Sequence, residues 1–235
     1  AEVEDIYRPY KQKRKTRASV AKEKGLEPLA ELLFSFTLKG ADLNEIAKEY
    51  VDEEKGVETV EDALQGASDI IAEIISDSAE ARKLLKELID KTGIIRSVAK
   101  KEEDSVYSMY YDYSEAVKKI PSHRILAINR GENEEILKVT VEVNEDEAIK
   151  ILNNLFITEG SSSTDFCKES VKDSFSRLIF PSLEREIRSN LTEKADEQAI
   201  KMFGSNLKPL LMQPPIKNKT VLAVDPAYRT GCKLA

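Results

Sequence analysis

The sequence is poor in the residues that build metal centres and covalent staples. It has one histidine, His123, and two cysteines, Cys167 and Cys232, in 235 residues. The cysteines lie far apart with no CxxC or Cys/His spacing, which excludes a disulfide framework and a zinc site of the usual ligand spacings. They read as buried or incidental thiols. A lone histidine at a helix start reads as a local packing or hydrogen-bonding residue rather than a catalytic one. No apolar run approaches the roughly 20 residues that cross a bilayer, and the opening AEVEDIYRPY lacks the apolar stretch of a signal peptide. These absences point to an intracellular, cytoplasmic protein with no membrane partner. The missing initiator Met points to a fragment of a longer chain.

What remains is highly charged: 41% hydrophobic, 34% charged, with 36 Lys and Arg against 43 Asp and Glu, net -7. That is the composition of a soluble globular protein, and its acidity alone argues against nucleic-acid binding. The charge is unevenly spread, however. YRPYKQKRKTR, Tyr7 to Arg17, holds Arg8, Lys11, Lys13, Arg14, Lys15 and Arg17 and no acid. Such a segment concentrates field on polyanions and holds phosphates through charge-assisted bonds, with Tyr7 and Tyr10 offering stacking surface. The alternative is a solvated basic loop paired with acidic helices of the same protein.

Most of the chain reads as helix. Thr16 caps a helix over Arg17 to Lys24 that Gly25 closes, and Leu26, Leu29, Leu32, Leu33 and Phe36 recur at helical spacing. Asp42 precedes a short amphipathic turn. Thr59 and Asp62 form a capping box with Asp in place of Glu or Gln, ahead of a helix marked by Ile70, Ile71, Ile74 and Ile75. Asp77 or Ser78 caps the next helix, which Gly93 stops. Ile94 to Ala99 is a short strand, and ILKVTVEV, Ile136 to Val143, is a second by its alternation. Between them, Tyr107, Tyr110, Tyr111 and Tyr113 form a packed cluster in a less regular stretch. Ser122 caps a helix after Pro121, and Asn144 or Asp146 starts another.

From Asp165 a helical pattern runs to about Leu211, with a kink or new start at Pro181. Leu183, Ile187, Leu191, Ala195, Ala199 and Phe203 line one face, and Glu184 with Arg188 supplies an i,i+4 pair on another. QPPIKNK, Gln213 to Lys219, is a proline-stiffened linker. VLAVDPAYRTGCKLA then reads as a buried strand, Val221 to Val224, delivering Asp225 to the rim of a sheet, with a turn at Arg229 to Gly231 and a stub of a second strand.

Four stretches, in order and spread over nearly the whole chain, resemble the Tex family of bacterial transcription accessory proteins. They are YRPYKQKRKTRASVAKEKGLEPLA, YYDYSEAVKKIPSHRILAINRGENE, FPSLEREIRSNL and QPPIKNKTVLAVDPAYRTGCKLA. Ala227 and Tyr228 depart from the family's DPGFRTGCK, and the lost Gly bears on the turn. The resemblance implies a mainly α, multihelical Tex N-terminal and central region over 1-216. Residues 217-235 would begin a truncated RNase-H-like domain of the YqgF type. It implies further helix-hairpin-helix and OB-fold modules in the intact protein, and similarity to a eukaryotic elongation factor that binds histones and polymerase. Asp225 would then stand where nucleases of the RNase-H fold put their first metal ligand, though a metal pair needs further carboxylates from later strands.

Three functions follow as expectations. The first is a helical scaffold of an RNA- or DNA-binding transcription accessory protein, non-catalytic by itself and without cofactors, using the basic segment and the helical groove beside it. The second is part of a metal-dependent, RNase-H- or resolvase-like nuclease with Asp225 as a ligand. The third is a scaffold that contacts only protein, polymerase or ribosome. The terminal strand is expected either to mediate a dimer or to be the least protected part of the chain.

Overall fold

The computed structural model describes residues 7, 15–101, 104–229 and 231–235. Its helices begin where a short polar side chain closes the first turn. Helix α1 (Arg17–Glu23) is entered through Thr16, whose hydroxyl accepts from Ser19 N at 3.0 Å while Ser19 Oγ accepts from Thr16 N at 2.8 Å. Gly25, at φ +84, turns the chain into α2 (Glu27–Phe34), which carries Pro28 in its first turn. Phe36, expected to extend that helix, lies beyond its end with φ 55. Asp42 caps α3 (Leu43–Lys48).

At α4 (Val60–Asp77), Thr59 Oγ1 accepts from Asp62 N and Asp62 Oδ2 accepts from Thr59 N, both at 3.1 Å, so the shorter Asp completes the capping box. Ser78, not Asp77, caps α5 (Ala79–Thr92) by accepting from Ala81 N. α4 carries the buried Ile70, Ile71 and Ile75 and packs against α1 and α2.

Strands β1 (Ile94–Ala99), β2 (Asp112–Ala116) and β3 (Leu137–Glu142) form an antiparallel sheet in the order β2-β1-β3, with Ser97 opposite Tyr113 on one side and Val139 on the other. The alternation expected for β3 is observed: Leu137, Val139 and Val141 are buried. β2 is a correction to the sequence reading. Its DYSEA has no alternating apolar pattern and becomes a strand through pairing with β1. The tyrosines do pack together: the rings of Tyr110 and Tyr113 meet edge to face at 5.4 Å, and the buried Tyr107 donates to Glu134 Oε1 at 2.8 Å.

α6 (Ser122–Asn133) is entered through Pro121, so Ser122 is its first helical residue rather than its cap. Asn144 caps α7 (Glu145–Phe156). The polar stretch after it is tied down, because Ser161 Oγ and Ser162 N both donate to Leu38 O at 2.9 Å.

α8 (Thr164–Asp173), which also packs against α4, runs into a π-helical turn (Ser174–Ile179) and then α9 (Phe180–Leu211). Pro181 has no N–H to give to the carbonyl four residues back. The widened turn, with Phe180 N bonded to Phe175 O, absorbs that loss without ending the helix. The expected Glu184–Arg188 pair is also corrected. Glu184 Oε1 accepts from Val141 N at 2.8 Å, and Arg188 pairs with Glu132 and donates to Val139 O at 3.3 Å. Tertiary partners outcompete the local one, and together they seal the outer edge of β3.

The chain divides into two compact units, residues 1–196 and 197–235. The hydrophobic core belongs to the first. The stripe on α9 is buried at Leu183 and Ala195, but Ala199 is exposed and Phe203 is 66% exposed. In the second unit, β4 (Val224–Ala227) and β5 (Gly231–Leu234) form an antiparallel hairpin. The strand thus starts at Val224 rather than Val221, and its residues are exposed rather than buried. Among the described residues no helix is long and apolar enough to cross a membrane.

Candidate nucleic-acid interface

Of the basic segment, Arg8, Lys11, Lys13 and Arg14 lie outside the described residues, as does Tyr10. Lys15 and Arg17 are described and exposed, and Tyr7 is exposed as well. Lys15 Nζ stands 4.0 Å from Glu23 Oε2 with both side chains open to solvent, a contact worth little. Arg17 has no ion-pair partner among the described residues.

These two residues open onto a cleft of about 410 Å³ between α1 and α4. The helical period builds it. Arg17, Val20 and Ala21 fall at i, i+3 and i+4 on α1 with its C-cap Lys24 at i+7, and Asp62, Gln65, Gly66 and Asp69 repeat that spacing on α4. Close helix approach at its base requires Gly66: a Cβ there would stand 2.3 Å from Leu26 Cδ1 and 3.3 Å from Ala21 Cβ.

The two walls differ in charge. Lys24 Nζ donates to Gly56 O at 2.6 Å, which anchors the cationic wall. On the other wall Asp62 is engaged in its capping box, and the buried Asp69 accepts from Arg177 NH2 at 2.8 Å through Oδ1. Arg177 is itself clamped by Asp173, and that hydrogen-bonded carboxylate with Asp69 beside it raises its already high pKa, keeping it cationic. Gln65 is exposed and makes no hydrogen bond among the described residues. Lys24, Gln65 and Asp69 were not legible as site residues, since only the matched polar stripes of two separate helices hint at them.

The remaining candidates are scattered. Asp225 lies within β4 opposite Lys233, on an exposed hairpin rather than at the end of a buried strand. No group of three or more His, Cys, Asp or Glu that would hold a metal ion occurs among the described residues, so nothing described here completes a metal pair around Asp225. His123 is exposed in the first turn of α6. Cys167 is buried, donates its thiol to Leu33 O at 3.6 Å, and is pushed by burial from 9.0 up to about 12, whereas Cys232 is exposed.

The sequence matches a family model described as Tex central region-like over residues 39–203. The chain belongs to the Tex family. It is 53% identical over 240 residues to the uncharacterized protein YdcI of Bacillus subtilis (strain 168), covering 100% of this chain and 33% of the relative. It is 34% identical over 244 residues to the transcriptional accessory protein Tex of Neisseria gonorrhoeae, covering 99% of this chain and 31% of the relative. Identity to the human S1 RNA-binding domain-containing protein 1 is 33% over 255 residues, covering 100% of this chain and 25% of that protein. The chain thus spans a third or less of the length of these relatives. The α4 wall of the cleft falls inside the region matched by the Tex model, and the α1 wall precedes it.

Proposed function

We propose that this Tex-family chain is the helical scaffold of a nucleic-acid-binding transcription accessory protein, non-catalytic by itself and acting in the cytoplasm. The basic run Arg8, Lys11, Lys13, Arg14, Lys15 and Arg17 holds backbone phosphates, and of these Lys15 and Arg17 line the α1/α4 cleft. The observation that carries the reading is Arg17, exposed at the mouth of that cleft without an ion-pair partner among the described residues. The relatives add support, since one is named a transcriptional accessory protein and another an S1 RNA-binding domain protein. Residues 217–235 begin an RNase-H-like domain, with Asp225 a vestigial ligand position. RNA polymerase or the ribosome is the protein partner. Binding by this chain alone is weak, because its acidic body repels polyanions.

The test replaces Lys13, Arg14 and Lys15 together by Gln and follows binding to single-stranded and duplex oligonucleotides across salt concentrations. Affinity falls for every sequence, and the slope of log K against log salt flattens by up to about three units. Unchanged affinity and slope would return the segment to a solvated loop and favour a purely protein-binding scaffold.

A further inference from the structure

We infer that the cleft between α1 and α4 receives one unpaired nucleotide, its phosphate on the Arg17/Lys24 wall and its base against Gln65 and Asp69; this deepens, and rests on, the phosphate reading of the adjoining basic segment. The cleft's volume of about 410 Å³ falls in the range of about 300–1,000 Å³ typical of small-molecule sites. That admits a mononucleotide unit and not a paired duplex step.

Its lining is divided as such a ligand is divided. Arg17 and Lys24, with Lys15 at the mouth, offer the guanidinium and ammonium donors that phosphate oxygens accept from. Val20, Ala21 and Leu26 give an apolar floor for the face of a base. Opposite the cations stand groups that read a hydrogen-bonding edge: the Gln65 amide, with no hydrogen-bond partner among the described residues, and the buried Asp69 carboxylate. Asp69 is held in position by Arg177 through Oδ1 at 2.8 Å. A carboxylate and an amide favour a base with several N–H donors, guanine above uracil. A base inside a duplex has that edge occupied by its pair, so only an unpaired nucleotide fits.

The experiment uses the full 235-residue chain. Binding of the four nucleoside monophosphates is measured by calorimetry, alongside a labelled single strand and the duplex of the same sequence. Gln65→Leu, at an exposed position, removes the amide, and Val20→Phe narrows the floor; circular dichroism checks that both remain folded. The expected result is saturable GMP binding that is tighter than UMP binding and competes with the single strand. Gln65→Leu weakens GMP and the single strand by about five- to tenfold. GMP binding without any polymer binding would assign the cleft to a free nucleotide and leave the basic segment without its role. Loss of polymer binding only in the Lys13/Arg14/Lys15 variant, with no monophosphate bound and Gln65→Leu like the parent, would overturn the cleft assignment and leave the phosphate reading standing.

Discussion

Arg82 NH2 donates to Glu186 Oε2 at 3.1 Å across 104 residues of sequence, and Arg82 is only 2% exposed. The same guanidinium reaches Ser182 Oγ at 3.4 Å, and Lys86 Nζ closes on the other Glu186 oxygen at 2.6 Å. Two turns of α5 thus hold α9 through one carboxylate. Glu186→Ala removes the carboxylate that pairs with the buried Arg82. The expected cost is about 2–3 kcal/mol in urea unfolding, below the full penalty of an isolated buried charge because Arg82 is not left without partners, Ser182 among them. A loss within about 0.5 kcal/mol would mean that the contact contributes no more than a surface pair.

Gly66 of α4 packs against Leu26 and against Ala21 of α1. Ala normally favours a helix interior by about 1 kcal/mol over Gly. Here its Cβ would meet the buried Leu26 side chain at 2.3 Å. Overpacking of this kind costs about 1–3 kcal/mol, so Gly66→Ala is expected to destabilise rather than stabilise. Thermal melting decides the sign, and a raised Tm would show that Leu26 moves aside freely.

Cys167 and Cys232 should differ in reactivity. Under native conditions near pH 8 a thiol reagent is expected to modify Cys232, which is exposed, and to spare Cys167, which burial keeps protonated up to about 12. In denaturant both react. The linkage sign follows: the folded thiol holds its proton more tightly than the unfolded one. Stability is therefore full below the ordinary value of 9.0 and declines as pH rises from there towards about 12. Rapid native modification of both thiols would contradict the packing around Cys167.

Residues 208–229 and 231–235 are all exposed. Amide exchange reports the free energy of local opening, and a hairpin with exposed residues opens at little cost, so β4/β5 is expected to exchange fastest among the strands. Ending the chain at Leu211 should leave the melting of the helical body within about 2 °C of the parent. Light scattering on both versions checks the alternative, a concentration-dependent dimer through the hairpin. Unfolding of the helices on truncation would make the terminal segment part of their core.

Some helix starts were legible because their causes are local. Thr16 with Ser19 and Thr59 with Asp62 each close a turn over three residues, so neighbouring identities suffice to place them. Asn144 against Asp146, Ser78 against Asp77 and Pro121 against Ser122 were decided only in the folded chain. β3 was legible for a similar reason, since its alternation records which face is buried. Membership of the Tex family was equally written in the sequence, in motifs spread along the chain.

Tertiary structure alone decided the rest. DYSEA becomes β2 because β1 offers it an edge, not because its own pattern calls for a strand. Glu184 and Arg188 part company because β3 and Glu132 bring partners with better geometry than a helix turn provides. The stripe on α9 continues to Phe203 in the sequence, but burial stops at Ala195, since periodicity records an apolar face and not what covers it. The cleft follows the same logic. Arg17 stood out as part of a basic run, but Gln65 and Asp69 join it only because a missing Cβ at Gly66 lets two helices close, and no local pattern states which helices will meet.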